Sequence, residues 1–124
     1  MKNCIFCDAP EDRFLFQNEF AFAIKDNFPV TSLHCLIIPK RHILDYFSMD
    51  KEELIGCDDL IKKTKQYIEL EDKSVKGFNI GMNSGEVAGQ TIFHCHIHLI
   101  PRRVGDVRNP RGGVRHLIPG KGNY

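Results

Sequence analysis

The chain has 124 residues, one domain's worth, with a composition of 42% hydrophobic and 27% charged residues that excludes both a disordered segment and a membrane-embedded chain. Its net charge is +1, which argues against a protein that coats nucleic acid, but the charge is uneven. From Pro101 onward six Lys or Arg face the single acid Asp106, so residues 101–124 form a basic tail on an otherwise acidic body.

In chain order, the first feature is Cys4-Ile5-Phe6-Cys7, a C-x-x-C pair that reads as a redox motif or as half of a zinc site. The N-terminal residues lack an apolar core and a small-residue cleavage site, and no stretch approaches the roughly 20 apolar residues that span a bilayer. A cytoplasmic protein is expected, with no membrane partner and no specific nucleic-acid partner. Five cysteines at irregular spacing fit thiols or metal ligands better than a disulfide framework, and Cys35, Cys57 and Cys95 read as small buried hydrophobes.

Strands are predicted at residues 14–16, 20–24, 33–38, 78–82 and 92–100, where β-branched and aromatic residues lie between turn formers. Gln17-Asn18-Glu19 reads as a hairpin turn joining the first two. Residues 43–47 suggest a short helical turn. The long helix starts at Asp50, an N-cap with Glu53 three residues on, and Leu54, Cys57, Ile61, Thr64 and Ile68 follow at helical spacing as its buried side. One long helix, one short one and five strands without βαβ alternation predict an α+β fold with a mainly antiparallel sheet and a single domain over 1–124. The turn-rich tail from about 101 to 124 is expected to wrap over a surface or a partner subunit.

The chemistry concentrates in residues 83–98. In a strand, His94, His96 and His98 share one face while Cys95, Ile97 and Leu99 share the other and can pack on the helix. An imidazole near neutrality can serve as nucleophile, general acid or base, or metal ligand, and spacing alone does not choose among them. Just upstream, residues 83–91 combine glycines with small hydroxyl and amide side chains, where backbone N–H groups can approach a phosphate.

His94-Cys95-His96-Ile97-His98-Leu99-Ile100, preceded by Gly89-Gln90-Thr91, resembles the signature of the histidine triad family. His34-Cys35-Leu36-Ile37-Ile38-Pro39-Lys40-Arg41-His42 resembles the family's preceding strand and additional histidine, so the likeness covers most of residues 4–103. The resemblance implies a nucleotide hydrolase or nucleotidyl transferase in which His96 attacks the α-phosphorus and forms a nucleotidyl-histidine. It implies that His98 contacts phosphate oxygens, that His34 supports the triad, and that Gly89, Gln90 and Thr91 hold phosphate and leaving group. It further implies Asp26 on the ribose, Asn83 orienting the phosphate chain, and a homodimer with one continuous sheet.

Bacterial-type members, which this chain resembles, pair an N-terminal C-x-x-C with two histidines. On that likeness Cys4, Cys7, His42 and His94 are expected to hold a structural zinc, which makes His94 structural rather than catalytic. No organic cofactor enters this chemistry, and magnesium would travel with a substrate polyphosphate. The tail resembles that of dinucleoside polyphosphate hydrolases, and Arg102 and Arg103 are expected to engage a polyphosphate such as diadenosine tetraphosphate. Asp26 and Asn83 resemble the adenosine phosphoramidate branch instead. The rival readings are a metallohydrolase with zinc on all three triad histidines, and a nucleotide-binding module without turnover.

Overall fold

The structure, a computed structural model, describes residues 3–123. Five antiparallel strands, β1 (Phe16–Gln17), β2 (Ala21–Lys25), β3 (Cys35–Pro39), β4 (Val75–Gly81) and β5 (Ile97–Arg103), lie in the order β1-β2-β3-β5-β4. The long helix α1 (Lys51–Glu71) covers one face. Ala21, Ala23, Cys35, Ile37, Ile97 and Leu99 point toward it and meet Cys57, Leu60 and Ile68. No helix among the described residues is long and apolar enough to cross a membrane.

β2 and β3 are buried nearly throughout because the second face is also covered. There Phe22, Ile24, Leu36 and Ile38 pack with Cys4 and Phe6 from the N-terminal C-x-x-C loop. This loop thus covers the face of the sheet opposite α1, a placement that the sequence pattern does not reveal.

The start of α1 follows the sequence. Asp50 accepts from the Glu53 N–H and Glu53 accepts from the Asp50 N–H, a reciprocal capping box. The buried stripe is rotated from the predicted one: Glu53, Gly56, Cys57, Leu60, Thr64 and Ile68 are buried, whereas Leu54 is exposed and Ile61 half-buried. Two tertiary contacts set that rotation. Gly56 lies against the β1-β2 turn, where a Cβ would come 3.0 Å from the Phe20 Cβ and where Asn18 Nδ2 donates to the Gly56 carbonyl at 3.0 Å. Glu53 meanwhile receives both Nη2 (2.7 Å) and Nε (3.1 Å) of Arg41, the residue before His42.

Because Glu53 serves both as cap and as carboxylate partner, Glu53→Ala is expected to cost about 1 to 3 kcal/mol in urea unfolding. The exposed neighbour Glu52→Ala should leave the midpoint unchanged. The predicted short helix at 43–47 is a 3-10 turn at Tyr46–Ser48, capped by Asp45 accepting from the Phe47 N–H.

Candidate functional site

The largest departure from the sequence pattern falls on the triad. β5 begins at Ile97, not at residue 92, so His94 and His96 precede the strand and simple alternation does not govern them. Residues 92–96 bend because both ends are held elsewhere. The Cys95 N–H donates to the Ile43 carbonyl at 2.8 Å, and the Gln90 side-chain amide donates to the Leu44 and Ile92 carbonyls. The three imidazoles are therefore divided between two centres.

His94 is fully buried and directs Nδ1 at Cys4 Sγ (3.4 Å), Cys7 Sγ (3.5 Å) and His42 Nδ1 (3.1 Å), while Cys7 Sγ lies 3.3 Å from His42 Nδ1. Its Nε2 is 2.8 Å from the Pro39 carbonyl, which can only accept. The proton therefore sits on Nε2, and Nδ1 presents a lone pair to the two sulfurs. Around a tetrahedral zinc, nitrogen and sulfur ligands lie about 3.3 to 3.8 Å apart, so this donor set fits the metal. The Cys7 N–H donates to Cys4 Sγ and fixes the turn that presents both thiols.

The tautomers of the other centre follow by the same reasoning. His96 Nδ1 lies 2.8 Å from the His94 carbonyl and must donate to it, so the neutral ring keeps its lone pair on Nε2. The Val30 N–H donates to His34 Nδ1 at 3.1 Å, so His34 carries its proton on Nε2. That nitrogen lies 2.9 Å from His98 Nδ1, to which it donates, and 3.5 Å from Asp26 Oδ2. His98 then holds its own proton on Nε2, and its ring stands 5.2 Å from that of His96.

Asp26, His34 and His98 lie close enough to hold a metal. Yet Nε2 of His34 is protonated, and freeing it would require an imidazolate. The trio is better described as a hydrogen-bond relay that orients His98. Burial, aided by His96 and His34, pushes His98 down to about 4, and burial also lowers His34 against the opposing pull of Asp26.

Unfolding restores His98 to its ordinary value near 6.5, so between about pH 4 and 6.5 the unfolded chain binds more protons than the folded one. Stability from this residue is therefore present above that window and lost as pH falls through it. In urea unfolding at pH 7 and pH 5, His98→Asn is expected to lose less stability on acidification than the wild type.

The glycine-rich segment is more constrained than its composition suggests. The Gly89 and Gln90 N–H groups donate to the Glu86 and Gly85 carbonyls, and Gly89 sits at φ 95, a conformation suited to glycine. The Gln90 side chain is buried, and its carbonyl oxygen accepts from the Gly85 N–H. Gly89 and Gln90 thus shape the loop instead of donating from it. Thr91, by contrast, is exposed and hydrogen-bonds to nothing among the described residues.

The arginines expected on a polyphosphate are engaged within the chain. Arg102 donates to both Asp106 oxygens at 2.8 and 2.9 Å and to Asn79 at 2.7 Å. Arg103 donates to Asp72 at 3.0 Å and to the Ser32 carbonyl at 2.9 Å. Both arginines thus already hold carboxylate partners where the sequence analysis expects them to engage a polyphosphate.

One contributor escaped the sequence reading. Phe6, nearly buried, sets its ring edge-on to His94 (5.8 Å) and tilted on His96 (5.0 Å), between the Cys/His cluster and the half-buried imidazole. Its position between Cys4 and Cys7 was the available signal. Cys35 and Cys95 are pushed up to about 11 and Cys57 to about 12 by burial, which keeps them protonated and inert, as expected of small hydrophobes.

A model of the HIT domain matches residues 9–105. This chain belongs to the HIT domain family. Among HIT relatives, an uncharacterised HIT-like protein of Mycoplasma genitalium is 38% identical over 104 residues, covering 81% of this chain and 73% of the relative. The Bacillus subtilis protein hit is 36% identical over 106 residues, covering 82% and 72%. The fold is also similar to a hypothetical histidine triad nucleotide-binding protein from Sulfolobus tokodaii, with a TM-score of 0.76, 34% identity and coverage of 83% and 71%. A zinc-bound histidine triad family protein from Mycobacterium smegmatis matches with a TM-score of 0.74 at 34% identity, covering 84% of this chain and 78% of that one.

Proposed function

We propose that this HIT protein hydrolyses nucleotides at the α-phosphorus through a nucleotidyl-histidine on His96 and releases a nucleoside monophosphate. The observation that carries this is the His96 Nδ1–H held by the His94 carbonyl at 2.8 Å, which leaves Nε2 with its lone pair beside a depressed, neutral His98. Nε2 attacks phosphorus and a N–P bond forms as the bond to the leaving group breaks. The leaving group departs with that electron pair and takes a proton from solvent. Water then attacks, the N–P pair returns to Nε2, and the surplus proton passes to solvent. A nucleotidyl acceptor other than water would make the same site a transferase.

His98 donates from Nε2 to a phosphoryl oxygen, held for this by His34 and, behind it, Asp26. Thr91 adds a hydroxyl and an N–H from the loop that Gly89 and Gln90 shape. Asp26 takes the ribose and Asn83 orients the phosphate chain. Cys4, Cys7, His42 and His94 hold a zinc that, when bound, ties the N-terminal loop to the strand carrying the nucleophile. The zinc-bound Mycobacterium smegmatis relative supports that reading. Two copies pairing through α1 and the edge strand β4 would give a continuous sheet.

Two substrate classes fit. A dinucleoside polyphosphate, carrying magnesium, is supported by the basic tail; a nucleoside phosphoramidate is favoured by the internal pairing of Arg102 and Arg103. Product analysis with diadenosine tetraphosphate and adenosine phosphoramidate separates them. Stereochemistry at phosphorus tests the shared mechanism, since two displacements give net retention with a chiral phosphorothioate substrate. Net inversion would rule out the nucleotidyl-histidine and favour a zinc-activated water. Tight nucleotide binding with no product over hours would favour the non-catalytic module.

A further inference from the structure

The cysteines differ sharply in their access to solutes. Cys35, Cys57 and Cys95 are at most 2% exposed inside the core between sheet and helix. Cys4 is 8% exposed, whereas Cys7 is half-buried and sets its Sγ 3.3 Å from Nδ1 of the exposed His42. A small solute in water therefore meets Cys7 first, with Cys4 deeper in the same loop. Burial and the neighbouring Cys4 push the Cys7 thiol up, so access and not acidity singles it out.

Both thiols stand on one backbone turn. The Asp8 N–H donates to the Cys4 carbonyl at 2.9 Å, the Cys7 N–H donates to Cys4 Sγ at 3.4 Å, and the two sulfurs lie within 4.8 Å of each other. Residues three apart on a helical turn carry Cβ atoms about 5 to 6 Å apart, and a disulfide brings them to about 3.8 Å. Bridging therefore tightens this turn by roughly 1 to 2 Å without unfolding it. The residue drawn along is Phe6, whose ring lies 5.0 Å from that of His96.

We propose that Cys4 and Cys7 form a peroxide-responsive oxidation site, in which a disulfide within the C-x-x-C turn takes the place of the zinc and shifts Phe6 against His96. The inference goes beyond the hydrolase reading, and the zinc exchanged and the His96 affected are those of that reading. Cys7 Sγ attacks one oxygen of the peroxide, the O–O bond breaks, and the departing oxygen leaves with the bonding pair and takes up a proton. Cys4 Sγ then attacks Cys7 Sγ, an S–S bond forms, and the S–O bond breaks to release water. Each sulfur loses one electron and one proton, and hydrogen peroxide is reduced to two waters. Zinc is held by thiolates and not by a disulfide, so only His42 and His94 would remain of the four donors. His42 is exposed, and the chain gives up the metal while His94 stays pinned through Nε2 to the Pro39 carbonyl.

The test treats the zinc-loaded wild type with excess hydrogen peroxide and follows zinc released to a chromogenic chelator, the bridge by peptide mass mapping, and kcat and KM. The expected result is one zinc released per chain and a loss of two hydrogens confined to the peptide holding Cys4 and Cys7. In parallel, kcat should fall about tenfold or more with KM little changed, and dithiothreitol with zinc should restore it. Cys7→His keeps a zinc ligand but cannot bridge, and should hold its metal through the same treatment. Phe6→Leu, which keeps both thiols, should form the same bridge with little further loss of kcat. Zinc and both thiols retained at peroxide concentrations that oxidise free cysteine would overturn the proposal, as would a bridge between chains. A bridge and released zinc with unchanged kcat would overturn the coupling to His96. Protein that takes up no zinc yet forms the bridge would overturn the exchange and the zinc assignment together. No nucleoside monophosphate before oxidation would remove the α-phosphorus reading alone, since mapping and zinc release do not depend on turnover.

Discussion

Replacing His96 by alanine is expected to lower α-phosphorus cleavage by on the order of 10⁴-fold or more while nucleotide binding survives. In the proposed mechanism other groups assist, but this ring forms and breaks the covalent bond. His96 is half-buried, and its one polar bond among the described residues is to the His94 carbonyl, so truncation leaves the Cys4, Cys7, His42 and His94 cluster and the strand register in place. His98→Asn should cost less, about 10²- to 10³-fold, because it removes one donor to the developing charge. Single-turnover kinetics with calorimetric nucleotide binding separates the cases. Turnover within a few-fold of wild type in His96→Ala would transfer the chemistry to a metal-bound water or to another residue. Equal loss in both variants would show that the relay through His34, not the nucleophile alone, limits the rate.

What the sequence made readable was local chemistry. The capping box at Asp50 and Glu53 lies within four residues, and its signal survives any tertiary arrangement. The apolar set Cys95, Ile97 and Leu99 does meet α1, as the alternating pattern implies. The pattern misled at His94 and His96, because a histidine-cysteine-histidine sequence entering a strand looks like the strand itself. The bend is imposed from afar by the Ile43 carbonyl, the Gln90 amide and the Cys4 and Cys7 thiols.

The same distance effect explains the buried stripe of α1. Leu54 and Cys57 are equally good helical positions, and contacts made by Asn18 and Arg41 decide which way the helix is turned. Arg103 looks free in a basic tail because its partner Asp72 is more than twenty residues away, whereas Arg102 pairs with Asp106 only four residues on and with the distant Asn79. The resemblance supplied His42 and His94 as partners for the C-x-x-C pair, and the structure brings those four residues together. Phe6 stayed unassigned because its place between Cys4 and Cys7 puts it near the cluster without saying which way its ring points.

Removing the metal is expected to lower the thermal midpoint by roughly 10 °C or more, and to reduce kcat before it changes KM. Without zinc, two thiols and two imidazoles lie within 3.5 Å of their neighbours with no charge to satisfy, and the loop is left to the packing of Cys4 and Phe6. Phe6 also touches the His96 ring, so a loosened loop frees the orientation of the proposed nucleophile while the proposed nucleotide contacts at Asp26 and Thr91 remain. Metal analysis should find one zinc per chain, lost in Cys7→Ser and retained in Ile5→Ser, whose side chain is exposed. A metal-free protein with an unchanged midpoint under chelation would show that the four donors meet as a buried polar cluster. A lower midpoint with unchanged kcat would confine the metal to stability and leave His96 held by the His94 carbonyl alone.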